Sequence, residues 1–385
     1  MMKVFIILVA LLAVITSWVI RQWDADENWA FNIFIIILPR LLDPPVQAYF
    51  GKSKSEQMTL IQSMRDKGEM MLGSERALRF AMGDRVADAS YGLNATRVAK
   101  LKIIPVADDR RHVDVTCTCP DEATTDDALP LIFFFHSGGL IFGSVNSELP
   151  MARYLSQKVG AVVCSPEYRL APEHPYPAGL DDCVDSSLAV LSDDAQRKHV
   201  ADALGIRDIV TSRVVAFGVS AGGYLSALVA RELTAAGHAL ALQVMLVPMA
   251  QPHGGGTTSM FEHWNAPLWN GPLNMWAWSM YIPGDADGTL ARHHRVNLLV
   301  DPPGEDSIRR LPPAYVQINT KDVLRDEGER YAIRLREAGR LLRLDEFNTN
   351  HVGGVLTGIF SKGGPGENAI EDAVNVVRFC MLNTC

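Results

Sequence analysis

From residue 130 onward the chain alternates between continuous apolar runs of strand length and segments whose apolar residues recur with helical spacing. The runs predict strands at 130–135, 161–165, 213–218 and 241–247, interleaved with helices at 147–159, 178–192 and 221–236. A strand that is apolar at every position must be covered on both faces. Regular alternation of strand and helix implies right-handed crossovers, hence a mostly parallel sheet with helices on both sides. Later strands at 313–319 and 341–347 flank a helix from Asp326 to Ala338, and a last helix lies near 367–382. Two strands near 99–106 and 112–118 precede the series, followed by an acidic turn from Asp121 to Asp127. Residues 43–95 are more polar and read as helical, with helices over Ser53–Gly68 and Ser74–Arg85. The expected class is α/β.

Two stretches break this rhythm. Between the strands 241–247 and 313–319 lie sixty-five residues, too many for a simple crossover, holding Trp264, Trp269, Trp276 and Trp278. Such an insertion, over about 250–310, predicts a helical cap at one end of the sheet. Its rings can wall a pocket for an apolar group or simply pack the cap against itself. Trp264, Trp269 and Trp276 are the candidates for substrate contact.

The other stretch is Val4 to Ile20, seventeen mostly apolar residues with Lys3 before them, Arg21 after them, and Asp24, Asp26 and Glu27 beyond. That asymmetry predicts an N-terminus left in the cytosol and a chain translocated behind it. The expectation is a signal anchor over residues 1–22, a single-pass membrane protein with a lumenal catalytic domain in the endoplasmic reticulum or secretory pathway. A cleaved signal with secretion is the alternative, although no clear Ala-x-Ala site follows; a buried helix is the third. Residues 23–95 then form a membrane-proximal or cap segment, in which Trp29–Leu42 is too short to span comfortably. The sequon Asn94-Ala95-Thr96 suits a lumenal glycosylation site.

The chemistry is concentrated in two glycine-rich turns. Val214–Phe217 leads into Gly218-Val219-Ser220-Ala221-Gly222-Gly223, after which an alanine- and leucine-rich helix runs to Gly237. A serine on a sharp strand-to-helix turn is held in a strained conformation with its hydroxyl exposed, and glycines on either side let strand and helix approach. Upstream, the run Pro130–Phe135 ends in His136-Ser137-Gly138-Gly139. Glycines after a strand expose backbone N–H groups, and two such donors beside a nucleophilic serine suit a tetrahedral oxyanion.

Composition narrows the class further. The chain has 385 residues, enough for a large core, and a formal charge of −8, with no basic stripe or zinc-finger spacing, which argues against a nucleic-acid partner. Six cysteines show no zinc spacing, and neither a metal nor a cofactor is expected. Cys117 and Cys119 share one strand face and cannot easily bridge each other, while Cys164 and Cys183 read as small buried hydrophobes.

Tyr168-Arg169-Leu170-Ala171-Pro172-Glu173-His174-Pro175-Tyr176-Pro177-Ala178, continuing through Asp181-Asp182, resembles a signature of the hormone-sensitive-lipase-like branch of the α/β-hydrolases. His136–Gly139, Gly218–Gly223 and Asp322-Val323-Leu324-Arg325-Asp326-Glu327-Gly328 match further motifs of that branch, in its order, over roughly residues 100–380. The resemblance implies an α/β-hydrolase fold over 96–385 and the order serine, acid, histidine for a catalytic triad. Ser220 is then the nucleophile and Asp322, by its place in the motif, the acid. Asp326 and Glu327 compete for that role but open a helix, where dipole stabilisation already accounts for them. His351 is the sole histidine after Asp322. The N–H groups of Gly138, Gly139 and Ala221 are the expected oxyanion donors, and His136 reads as a scaffold for the loop. This chain departs from the family in having Ser137 for the first of three glycines, Val219 for an aspartate, and Val352-Gly353 where Gly-Phe is common.

The function these readings imply is a carboxylesterase or deacetylase acting on small to medium apolar esters. Two alternatives stand beside it: a biosynthetic enzyme of the same fold performing acyl transfer, lactone hydrolysis or cyclisation, and a non-catalytic ligand receptor. Oligomeric state is not legible.

Overall fold

The computed structural model describes residues 52–71, 95–106, 110–351, 353, 368–383 and 385. Its centre is an eight-stranded sheet: β1 Thr96–Ile103, β2 Val113–Pro120, β3 Ala128–Phe135, β4 Val162–Pro166, β5 Asp208–Val219, β6 Leu242–Leu246, β7 Ala314–Lys321 and β8 Leu341–Asn350. The strands lie in the order β1-β2-β4-β3-β5-β6-β7-β8. β1, β2 and β4 pair antiparallel, and every pairing from β4 through β3 to β8 is parallel. The mostly parallel α/β sheet expected from the alternation is therefore present.

The apolar runs divide by residue parity between two layers of core. Leu131, Phe133 and Phe135 of β3, with Val214 and Ala216 of β5, meet the helices α3 Ala178–Ser192, α4 Asp194–Leu204, α5 Ala221–Ala235 and α8 Arg325–Glu337. Ile132 and Phe134, with Val215 and Phe217, meet α2 Val145–Val159 and the C-terminal α9 Ala369–Leu382. Truncating a fully buried ring such as Phe217 to alanine costs about 3–5 kcal/mol, which makes the central strands a firm base for what their ends carry.

Between β6 and β7 the insertion folds into α6 Thr258–Glu262, α7 Gly271–Tyr281 and three short 3-10 turns. On α7, Trp278 and Tyr281 pack edge-on against Tyr224 of α5, at ring separations of 5.5 and 6.3 Å. The N-terminal helix α1, Lys54–Met71, joins the insertion through a hydrogen bond from Trp276 Nε1 to Gln57 Oε1 of 3.0 Å.

Several elements differ from the sequence reading. The apolar pattern does not predict α4; Asp193 both ends α3 and caps α4, accepting from Ala195 N at 2.8 Å. β5 begins at Asp208 rather than 213, pairing with the start of β3 across a register shift at Pro130/Leu131. Cys164 is not a free buried thiol: it forms a disulfide with Cys117, its direct antiparallel partner in the β2–β4 register. A second disulfide joins Cys380 to Cys385, while Cys119 and Cys183 are buried free thiols.

The single-pass placement with a lumenal domain is overturned. Among the described residues no helix is long and apolar enough to cross a membrane. Val4–Ile20, Trp29–Leu42, the helix expected at Ser74–Arg85 and Asn94 lie outside the described residues.

Candidate active site

Ser220 sits between the end of β5 and the start of α5 with φ +57° and ψ −116°. A non-glycine residue there stores about 1–3 kcal/mol of strain, which the surrounding backbone must over-determine. Ser220 N donates to Leu246 O of β6 at 2.8 Å, and Ser220 O accepts from Tyr224 N at 3.1 Å. The flanking glycines are demanded by close approach rather than by their own torsions. A Cβ on Gly218 would lie 2.0 Å from Gly222 O, and one on Gly222 would lie 1.9 Å from Phe135 O.

The neighbouring ends of β7 and β8 deliver the other two side chains. Lys321 and Asn350 are paired in register, so Asp322 and His351 leave the sheet together. His351 Nδ1 lies 2.7 Å from Asp322 Oδ2, and His351 Nε2 lies 2.9 Å from Ser220 Oγ. Asp322 Oδ1 accepts from Leu324 N at 2.9 Å, which fixes the carboxylate's rotation. With Nδ1–H donated to the carboxylate, Nε2 is left as the acceptor facing the hydroxyl. The three side chains are nearly closed to solvent, at 3% for Ser220, 1% for Asp322 and 4% for His351.

The competing acids are engaged elsewhere. Asp326 accepts from Ser259 N of α6 at 2.8 Å, and Glu327 from Ala250 N at 2.9 Å. Both tie the insertion to α8, and complete burial pushes the Glu327 carboxyl well up from its ordinary range.

The glycine-rich turn after β3 lies on the opposite side of Ser220. Gly138 has φ +118° and Gly139 φ +61°, and Gly138 O accepts from Ile141 N and Phe142 N at 3.2 and 2.8 Å. In a trans peptide the N–H points away from the preceding carbonyl, so this turn aims the Gly139 amide outward. Ala221 is the first residue of α5, and the first N–H groups of a helix have no partner within it. Beneath the turn, His136 stacks on Tyr168 at 4.1 Å, and its Nδ1 lies 2.8 Å from Ser137 O. Burial lowers the His136 pKa to about 4, so the ring is neutral and serves as a support.

The Tyr168–Asp182 segment is scaffold of the same kind. Tyr168 Oη donates to His136 O at 2.8 Å; Arg169 grips Asp182 with Nε and Nη2 at 2.8 and 2.9 Å; Arg111 also pairs with Asp182. Tyr176 N donates to Tyr281 O at 2.8 Å, linking the segment to α7.

The three candidate tryptophans have different neighbours. Trp269, which follows Leu268 at φ +58°, lies over Gly139 with its ring 6.0 Å from that of His351. Trp264 packs on Gly271, and Trp276 is buried beneath α1.

Two residues at the site escaped the sequence reading. Arg65 of α1 donates from Nε to Ile141 O at 2.8 Å and pairs with Glu173, bracing the far side of the turn. Glu148 of α2 accepts from Ser137 N at 2.8 Å and from Ser137 Oγ. An acid in the first turn of a helix already has a dipole explanation, so the one sequence signal pointing to Glu148 was the serine standing in place of a glycine. Among the described residues no group of three His, Cys, Asp or Glu could hold a metal ion.

A family model described as alpha/beta hydrolase fold matches residues 132–352, more than half of the chain. Esterase LipI of Mycobacterium tuberculosis is 31% identical over 223 residues, covering 58% of this chain and 63% of the relative. Carboxylesterase NlhH of the same organism is 32% identical over 214 residues, covering 55% and 62%. The chain thus spans less than two thirds of the length of these curated relatives. The esterase of Pyrobaculum calidifontis superposes with a TM-score of 0.66 at 25% identity, covering 83% of this chain and 92% of that one.

Proposed function

Because the chain belongs to the alpha/beta hydrolase-fold family, we propose that it is a carboxylic ester hydrolase working through an acyl-enzyme on Ser220. The observation that carries the proposal is the relay of 2.9 Å from Ser220 Oγ to His351 Nε2 and 2.7 Å from His351 Nδ1 to Asp322. An unassisted serine hydroxyl is a poor nucleophile; a base at this distance removes its proton as the carbon–oxygen bond forms. The names of the relatives, esterase and carboxylesterase, favour the same class.

In the first half-reaction Ser220 Oγ bonds to the ester carbonyl carbon while its proton passes to His351 Nε2. Asp322 stabilises the resulting imidazolium and keeps its orientation. The carbonyl oxygen becomes an oxyanion received by the N–H groups of Gly138, Gly139 and Ala221. Collapse breaks the bond to the alcohol oxygen, which leaves with the proton from Nε2. Water then repeats the sequence, giving its proton to His351, and the carboxylic acid departs from Ser220 with the hydroxyl restored. Each oxyanion donor is worth about 3–4 kcal/mol to such a barrier.

Small to medium apolar esters are the proposed substrates, with Trp269 forming one wall beside Gly139 and His351. A panel of p-nitrophenyl esters of rising acyl length tests the assignment. Turnover by the unaltered chain that vanishes in Ser220→Ala is the expected result; equal nitrophenol release by both proteins would refute it.

A further inference from the structure

We propose that Glu148 is a positioning residue for the oxyanion loop, clamping Ser137 so that the two amides after it stay aimed at the reacting carbonyl. The proposal rests on the ester-hydrolase reading above and extends it to a residue that touches no substrate.

The loop has an intrinsic weakness. Gly138 and Gly139 carry no side chains, so no packing of their own fixes which way their peptide planes face, and glycine backbone is the freest to turn. Their orientation must be imposed from the residues before and after. After them, Gly138 O is held by Ile141 N and Phe142 N.

Before them, the two preceding peptide planes are pinned. The plane joining His136 to Ser137 is held at its carbonyl by Tyr168 Oη at 2.8 Å and at its N–H by Glu148 Oε1 at 2.8 Å. The plane joining Ser137 to Gly138 is held at its carbonyl by His136 Nδ1 at 2.8 Å. The Gly138 N–H, trans to that carbonyl, is thereby directed away from the His136 ring.

Glu148 is the member of this set that comes from an independent, rigid element. It lies in the first turn of α2, which is capped by reciprocal Ser144 and Ser147 hydrogen bonds and anchored in the core by Met151, Ala152 and Leu155. The same carboxyl oxygen receives both the Ser137 N–H and the Ser137 Oγ–H. A glycine at 137 would offer the carboxyl one donor; the serine offers two, and the second also fixes the side-chain rotamer. The departure at 137 and the half-buried acid at 148 thus form one device. Burial raises the Glu148 pKa to about 7, and the carboxyl oxygen accepts these hydrogen bonds in either protonation state.

The test uses the whole chain with p-nitrophenyl acetate and butyrate, and a trifluoromethyl ketone as a mimic of the tetrahedral oxyanion. Glu148→Ala is expected to lower kcat roughly tenfold or more and to weaken the ketone by a matching factor, with KM unchanged. Glu148→Gln keeps an oxygen acceptor and is expected to restore most of the loss. Should Glu148→Ala fail to fold, Ser137→Ala, which removes one of the two contacts, is expected to lower kcat and ketone affinity together while KM holds. Full kcat in Glu148→Ala, or in Ser137→Ala where the first variant is unfolded, would overturn the positioning role. A loss confined to KM would overturn it equally. No turnover by the unaltered chain would instead remove the hydrolase reading, and this proposal with it.

Discussion

The indole of Trp269 lies so close over Gly139 that a Cβ on the glycine would sit 2.1 Å from the ring's Cη2. A residue from the insertion and a residue of the glycine-rich turn after β3 therefore share one boundary, and the His351 ring stands 6.0 Å from the same indole. Strained backbone gathers at this boundary: Leu140, Ser220 and Leu268 all have φ between +57° and +68°. Such torsions are costly for side-chain-bearing residues, and here they adjoin Gly139, Trp269 and the Ser220–His351 pair.

Replacing Trp269 by alanine is expected to open the wall beside Gly139. Activity on p-nitrophenyl esters should move toward longer acyl chains, with kcat/KM for the longest rising relative to acetate by at least about 10-fold, the scale of a single methylene in an apolar pocket. The ratio of kcat/KM values across the panel measures this directly, and an unchanged ratio would place the acyl group elsewhere.

Asp322→Asn leaves the shape intact, but with its amide oxygen kept on Leu324 N–H it turns an NH2 donor toward His351 Nδ1, in place of the oxygen that now lies 2.7 Å away. The imidazole can then present the wrong tautomer to Ser220, and a fall in kcat of about 10⁴-fold follows for a relay of this kind. Asp326→Asn, by contrast, loosens an attachment of α6 and should cost little kcat beyond any loss of folded protein. Steady-state kinetics on the two variants side by side separate the acid from its neighbour.

Two desolvated groups beside the glycine-rich turn, His136 and Glu148, push stability in opposite directions with pH. His136, lowered by burial from 6.5 to about 4, is neutral when folded, so the native state loses stability as pH falls from 6.5 to 4. Glu148, raised by burial from 4.5 to about 7, is neutral when folded, so the native state loses stability as pH rises from 4.5 to 7. Each contribution is on the order of 3 kcal/mol, and between about pH 4.5 and 6.5 they nearly cancel. Glu148→Gln should unmask the histidine, making the protein markedly more acid-sensitive than the unaltered chain in that window. His136→Gln should do the reverse. Urea unfolding at pH 5, 6 and 7 reads the difference, and parallel profiles for all three proteins would contradict it.

The elements most legible in the sequence are those whose cause is local. The Ser220 elbow announces itself because Gly218 and Gly222 must be glycine for strand and helix to touch. The central strands announce themselves because both faces are buried, which leaves a run such as Leu131–Phe135 of β3 apolar at every position. What depends on sheet order is hidden: Cys117 and Cys164 are 47 residues apart and meet because β2 pairs with β4, which no periodicity reveals. Glu148 was hidden for another reason, since its meaning lies in a partner 11 residues upstream across a loop. The separation of 131 positions from Ser220 to His351 is bridged by the family's chain order rather than by any local pattern. The apolar character of Val4–Ile20 suggested a membrane, but hydropathy alone does not say what covers such a run.

The most direct test of the central claim is the rate at which a fluorophosphonate probe modifies the protein, with the adduct located by peptide mass spectrometry. A working relay predicts a single adduct on Ser220, none in Ser220→Ala, and labelling slowed by orders of magnitude in His351→Ala. An adduct on another serine, or equal labelling rates with and without the imidazole of His351, would contradict it.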